Sequence, residues 1–433
     1  MKQLYSLLAV LENQNHRGTN TSKKVNQKKN RFHSSSDSKK RLNATRNKVT
    51  FTATLIFAFL LNGAAFGQLS DLHYLPPLKQ KVGSNSIDGQ SVYVSTPEST
   101  PFTVNVYRGT NNTPFSSFSV SNGSPHELAL GNANNEITLV SNSNTGVILS
   151  NSGLRFESTG GEEFYVNYRG VSGAQGTSLT SKGGGALGTS FIWGGIPQAT
   201  SNEHTSTTLG IMATADNTTI TISGYDPACT FRSGSSEYGM TDDQIQITLD
   251  ANESYVLEAA TENNMANLDG WLGASITSNN EIVVSCGGLN YSAVNGISRD
   301  AGIDQIVPTN KLGKEYVFVR GNGGDELEYA IILATQNNTE VYVNNENTPR
   351  ATLSTGEYYT VPGQDYSSSS QGANLYVNTS KDAYTYQTMG GSTSAATVGM
   401  NFMAPVNCLL TSFVDNIPDI TDAAGTSFSG GVS

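Results

Sequence analysis

Downstream of residue 67 the scarce reactive side chains are three histidines, His73, His126 and His204, and three cysteines, Cys229, Cys286 and Cys408. No histidine stands in the His-Glu-x-x-His spacing that puts two imidazoles over zinc on one helix face. No Gly-x-Ser-x-Gly elbow is present to raise a nucleophilic serine. Each histidine has Ser, Pro, Asn, Asp or Glu close by, which predicts a turn or surface position. Catalysis by the commonest general base is therefore not offered, although an Asp/Glu pair of the glycosidase kind needs no histidine.

Two acidic turns suggest metal chemistry. Thr241-Asp242-Asp243 and Gly321-Asn-Gly-Gly-Asp325-Glu326 gather the carboxylate and carbonyl oxygens that calcium takes. Asp242, Asp243, Asp325 and Glu326 are the candidate ligands, and calcium is the one cofactor the sequence suggests. The 12-residue calcium-loop pattern is missing, and solvated turns share this composition. The odd number of cysteines leaves at least one thiol free or paired elsewhere. Cys229 and Cys286 fall in one segment, and two readings stand: a Cys229–Cys286 disulfide, or Cys286 as a small hydrophobe buried on its apolar strand.

Gly183-Gly-Gly-Ala-Leu-Gly188 has the spacing of a dinucleotide-binding loop, which needs a helix directly after it. Thr189-Ser-Phe-Ile-Trp193 reads instead as a strand, so the glycines mark a joint. Tyr384 and Tyr386 alternate onto one sheet face and, with Trp193 and Trp271, are expected in the core.

These groups must be positioned by strands. Short β-branched and aromatic runs such as Phe102-Thr-Val-Asn-Val-Tyr107 and Tyr316-Val-Phe-Val319 alternate with Asn/Gly/Ser/Asp clusters, and no stretch sustains a helical period. The fold class is all-β.

The chain also repeats itself. Leu187-Gly-Thr-Ser-Phe-Ile-Trp193 returns as Leu312-Gly-Lys-Glu-Tyr-Val-Phe318. Gly210–Ile222 returns as Ile331–Val343, Ile247–Leu257 as Ala351–Val361, and Ala274–Val284 as Asn374–Tyr384. Asn217-Thr218 and Asn337-Asn338 then sit at equivalent hairpin turns, as do Asp250–Glu253 and Ser354–Glu357. Joints recur as well: Gly302–Asn310 is similar to Gly399–Asn407, Leu72–Leu78 is a fainter relative, and Leu179–Gly185 a more diverged one. The expected architecture is a tandem array of β-sandwich, jelly-roll-like modules after a cleaved signal peptide. Its parts are residues 1–67, a diverged module at 68–172, modules at 173–301 and 302–398, and the start of a further module at 399–433. The chain then reads as the N-terminal part of a longer polypeptide.

Residues 1–48 carry 12 Lys and Arg against Glu12 and Asp37 and lead into an uncharged apolar stretch ending at Ala65-Phe66-Gly67. The apolar centre, about 11 residues, is of signal-peptide length and short of the roughly 18–20 that span a bilayer. Cleavage is expected between Gly67 and Gln68, leaving no transmembrane span in the mature chain. Residues 68–433 then hold 13 Lys and Arg against 34 Asp and Glu, a net charge of −21. Such a surface repels phosphate backbones, so nucleic acid is excluded as a partner.

The succession Ser178–Gly183, Leu187–Phe191, Ala213–Ile222, Leu249–Tyr255 and Ser275–Ile282 resembles the IgGFc-binding protein N-terminal domain, in the versions found in large secreted proteins of Bacteroidota. The resemblance runs over roughly residues 72–410 and is strongest over 173–391. It implies a secreted or surface-attached, multidomain, non-enzymatic binding protein, often exported by a type IX route. No C-terminal sorting domain is evident, and no short motif transfers the antibody ligand. The expected function is adhesion through an extracellular protein or glycan ligand. The alternatives are a spacer within a larger surface protein and, further off, a carbohydrate-active enzyme.

Overall fold

The computed structural model describes residues 68–80, 86–172, 175–199, 201, 204–291, 299–390 and 398–406. The expected leader, with Gly67, lies outside them, as do Cys408 and the rest of 407–433.

The first region carries β1 (Leu72–Leu75), β2 (Leu78–Lys79), β3 (Asp88–Ser95), β4 (Phe102–Arg108), β5 (Ser116–Val120), β6 (His126–Gly131), β7 (Leu139–Val140), β8 (Ile148–Leu149), β9 (Leu154–Ser158), β10 (Tyr165–Ser172) and β11 (Gln175–Thr180). The second carries β12 (Gly188–Ile192), β13 (Ser206–Ala213), β14 (Thr218–Ser223), β15 (Phe231–Ser233), β16 (Ser236–Met240), β17 (Gln244–Leu249), β18 (Ser254–Ala260), β19 (Ser275–Tyr291) and β20 (Asp300–Ile306). The third carries β21 (Gly313–Val319), β22 (Ala330–Ala334), β23 (Thr339–Val343), β24 (Ala351–Leu353), β25 (Tyr358–Val361), β26 (Asn374–Gly390) and β27 (Val398–Phe402). Helical structure among the described residues is confined to short 3-10 turns. The fold is all-β.

In the first region the sheet β1-β9-β4-β5 packs on the sheet β11-β10-β3-β6, with Val92, Val104, Phe156 and Phe164 fully buried between them. In the second region one 17-residue strand serves both sheets. The first half of β19 pairs with β12 and β14, and its second half with β13 and β20. Adding β17 and β18 gives the orders β12-β19-β14-β17 and β20-β19-β13-β18. The third region has the same connectivity, β21-β26-β23-β24 and β27-β26-β22-β25. One plan thus occurs three times, with β9 and β10 standing in the first region where a single long strand stands later.

The turns agree at atomic detail. Asn217 and Asn338 take the left-handed backbone at φ 55° and 57°, a region Asn enters more readily than most residues. Thr218 Oγ1 donates to Ala215 O, and Thr339 Oγ1 to Gln336 O, both at 2.6 Å. At the neighbouring turn the Asp250 N–H donates to Glu253 Oε2 at 2.8 Å and the Ser354 N–H to Glu357 Oε2 at 2.7 Å.

Strand burial shows how the regions meet. β14 alternates buried and half-buried residues, whereas every residue of β13, β18 and β22 is buried. A strand buried on both faces must be covered twice, once by its own sandwich and once by a neighbour. Trp193 of the second sandwich stacks on Trp271 at 3.8 Å, in a core shared with Ile331, Leu333, Tyr384 and Tyr386 of the third. The expected core positions of both tryptophans and both tyrosines are realised. Between the first and second sandwiches lies a buried ionic group, in which Glu258 pairs with Arg232 and lies 3.8 Å from Lys79, while Arg232 also reaches Glu237 at 3.0 Å. Two cations beside two carboxylates leave that group close to neutral.

The joints converge. Gln305 Nε2 donates to Tyr74 O at 2.9 Å, and its Oε1 accepts from the Lys182 N–H at 2.6 Å and Ser181 Oγ at 3.2 Å. Neighbouring Asp304 pairs with Lys182 Nζ and accepts from the Phe402 N–H, both at 2.9 Å. All four sequence-related joints therefore meet around Asp304 and Gln305.

His73 departs from its expected surface position. It is fully buried on the inward face of β1, opposite Phe156, and its Nε2–H donates to Phe164 O at 2.8 Å. Strand pairing puts Phe191 and Tyr316 at the equivalent positions, so the imidazole occupies a core slot that is otherwise aromatic. Burial lowers its pKa to about 4.

Candidate functional site

Where the second sandwich meets the third, a cleft of about 290 Å³ opens between β12 and the turns at the tip of the third sandwich. One wall carries Ser190 and Ile192 of β12 with Ser275 at the start of β19; the other carries Gln336, Thr355 and Asp382. Asn310, from the joint turn, closes one end. These positions are fixed by backbone chemistry on both sides. Thr335 Oγ1 donates to Asp382 O at 2.5 Å, tying the β22 turn to β26, and the Thr355 N–H donates to Asn337 Oδ1 at 2.9 Å. Thr309 Oγ1 meets Ser190 Oγ at 3.2 Å across the joint. Behind the cleft Tyr358 OH donates to Asp269 Oδ2 at 2.9 Å. Gly273, at φ +93°, touches Gly356 so closely that a Cβ would overlap the Gly356 carbonyl.

The same junction occurs between the first and second sandwiches and is filled there. Strand register makes Leu72, Tyr74 and Arg155 the counterparts of Ser190, Ile192 and Ser275. The matching turn hydrogen bonds, Thr214 Oγ1 to Glu281 O and the Ala251 N–H to Asp216 Oδ1, make Ala215, Ala251 and Glu281 the counterparts of Gln336, Thr355 and Asp382. Tyr74 and Leu72 pack with Ala186, Met212 and Val283. Burial raises the Tyr74 phenol, with Arg155 opposing and Glu281 adding to the shift, so Tyr74, Arg155 and Glu281 share that space. From the first junction to the second, three large side chains become smaller on one wall and two alanines become Gln and Thr on the other.

Asp242 and Asp243 are exposed on the turn between β16 and β17, where Tyr225 OH donates to Asp242 O at 2.5 Å. Asp325 and Glu326 lie on a different loop, between β21 and β22, and Asp325 pairs with Arg320 at 2.7 Å. That loop is ordered from within: buried Glu328 accepts from the N–H groups of Gly321, Gly323 and Gly390 at 2.8–3.0 Å. Among the described residues no three His, Cys, Asp or Glu side chains converge as a ligand set.

Cys229 and Cys286 are both buried free thiols, which corrects the disulfide reading in favour of its alternative. Cys229 Sγ donates to Ala266 O at 3.4 Å, whereas Cys286 is held within β19 between Leu209 and Asp304 on neighbouring strands. Burial pushes the Cys229 thiol up to about 12, helped by Asp226 and Asp269, and raises Cys286 further, so neither is a ready thiolate. Gly183–Ala186 forms a 3-10 turn leading into β12, the strand expected there.

None of the cleft residues stood out by motif. Their signal lies in the differences between copies, at positions where a bulky residue in one becomes small or polar in the next.

A family model described as IgGFc binding protein matches residues 176–427, more than half of the chain, and the chain belongs to this family. The matched stretch takes in the second and third sandwiches and the cleft between them. No curated protein and no solved structure matches the chain. Among the described residues no helix is long and apolar enough to cross a membrane.

Proposed function

We propose that this chain is a non-enzymatic recognition protein of the cell exterior, secreted or held at the cell surface, whose ligand is an extracellular protein or glycan. The observation that carries the reading is the family match, which spans two sandwiches as one unit with a polar cleft at their junction. Recognition by loops and clefts on a rigid β scaffold is the usual use of such a fold. The related segments at 173–301 and 302–398 act as IgGFc-binding-like modules of one array, and a Bacteroidota surface protein is the setting the sequence resemblance suggests.

The purified chain is expected to bind saturably to one of immobilised immunoglobulin Fc, mucin or a glycan array. The same assay with and without calcium, at fixed ionic strength, tests the acidic turns. A folded chain silent on all three surfaces would instead favour a spacer role. The continuous core between the second and third sandwiches supports that second reading, because a rigid rod needs such joints.

A further inference from the structure

We infer that the cleft between the second and third sandwiches is a binding site for one neutral sugar residue of a glycan; this rests on the reading of the chain as a recognition protein. The two junctions share strands and turns, and differ in the side chains that both walls present. Replacing Leu72, Tyr74 and Arg155 by Ser190, Ile192 and Ser275 removes bulk from one wall, while Gln336 and Thr355 in place of alanines add hydrogen-bonding groups to the other. Interiors normally pack to crystal-like density. At the first junction Leu72 and Tyr74 pack with Ala186, Met212 and Val283, whereas at the second a space of about 290 Å³ is lined by the added polar groups.

The chemistry of the walls selects the occupant. Hydroxyls of Ser190, Ser275 and Thr355 and amides of Asn310 and Gln336 donate and accept without charge, and Asp382 supplies an acceptor-only carboxylate. Several neutral partners, one carboxylate and a short apolar floor at Ile192 suit a ring that carries hydroxyls around its edge and C–H groups on its face. A basic side chain would ask for more than one carboxylate. An acidic sugar would meet Asp382 in a chain whose net charge over residues 68–433 is −21. The volume lies at the lower end of the roughly 300–1,000 Å³ that holds drug-sized ligands, so one sugar ring fits and a longer oligosaccharide must extend outside.

The test is a titration of the full chain, followed by NMR, with the methyl glycosides of mannose, galactose, glucose and N-acetylglucosamine, and with N-acetylarginine amide as a cationic probe. At least one glycoside should bind saturably in the millimolar range. Asp382→Asn should weaken it at least tenfold, and Ser190→Leu with Ile192→Tyr, which rebuilds the first junction, should abolish it. Asp382→Asn changes only a half-buried side chain and keeps the test available if the double variant fails to fold. Unchanged glycoside affinity in Asp382→Asn, or binding of the arginine probe without any sugar, overturns the assignment. A chain that captures Fc or mucin yet binds none of the glycosides also overturns it, while leaving the recognition function in place.

Discussion

The two junctions of this molecule are built on one plan and closed to different degrees. Between the first and second sandwiches Tyr74, Leu72 and Arg155 plug the space, and the buried group of Glu258, Arg232, Lys79 and Glu237 ties the regions together. Between the second and third, backbone contact at Gly273 and Gly356, the Trp193–Trp271 stack and a continuous apolar core do the holding, and the space that Tyr74 fills in the first junction is left open. Stability at the second junction is supplied beside the cleft rather than through it. A duplicated scaffold can therefore keep one interface closed and open its sister, because strand register survives replacement of the side chains it presents.

The sharpest way to break this contrast is at the ions. Glu258→Ala would leave Arg232 and Lys79 buried without their carboxylate, and should destabilise the chain by about 3–5 kcal/mol in chemical denaturation. A loss under 1 kcal/mol would mean that the first junction does not depend on the ionic group.

Next comes His73, which occupies a slot that is aromatic in the other two copies, Phe191 and Tyr316. Its folded pKa of about 4 lies below the ordinary value of 6.5, so its contribution is fully present above about pH 6.5 and is lost as the pH falls toward 4. That loss is about 3 kcal/mol. His73→Phe should flatten this limb of the stability curve between pH 7 and pH 4. An unchanged acid slope would show that the ring is not held neutral.

A smaller effect isolates the second junction. Gly273 and Gly372 hold equivalent positions with φ of +93° and +81°, but only Gly273 faces a neighbour, since a Cβ at Gly372 meets nothing within 4 Å. Both alanine variants should lose roughly 1 kcal/mol to the left-handed backbone. Gly273→Ala should lose on the order of 1–3 kcal/mol more, by displacing the Gly356 turn. Equal losses by thermal denaturation would remove that contact from the account. Smallest of all, Asn217→Ala and Asn338→Ala should cost about 1 kcal/mol each and agree within about 0.5 kcal/mol, because the two turns share the left-handed residue and the threonine hydroxyl bond that follows it.

Much of this fold was legible in the sequence because it depends on local chemistry. Alternating β-branched runs marked β14 and β23, Asn marked the two left-handed turns, and Tyr384 and Tyr386 fell on one buried face two residues apart. The ungapped match of Ala274–Val284 to Asn374–Tyr384 is one residue out, since pairing sets Ile276 opposite Ile222 and Val377 opposite Val343 at one end, and Val283 opposite Met212 and Tyr384 opposite Leu333 at the other. The first region's kinship was faint because its long strand is split into β9 and β10. His73 and the cysteines were misjudged or left open because turn-forming neighbours in sequence say little about which face of a strand is covered. The cleft was hidden for a related reason: Ser190 and Asp382 are far apart along the chain and meet only when two sandwiches dock.

The most direct measurement compares the glycan-array profiles of the wild-type chain and the Ser190→Leu/Ile192→Tyr variant, after matching their thermal unfolding. The account predicts selective binding to neutral glycans by the wild type and its loss when the second junction is refilled to resemble the first. Identical profiles from two folded proteins would contradict it and return the open junction to the status of a packing difference.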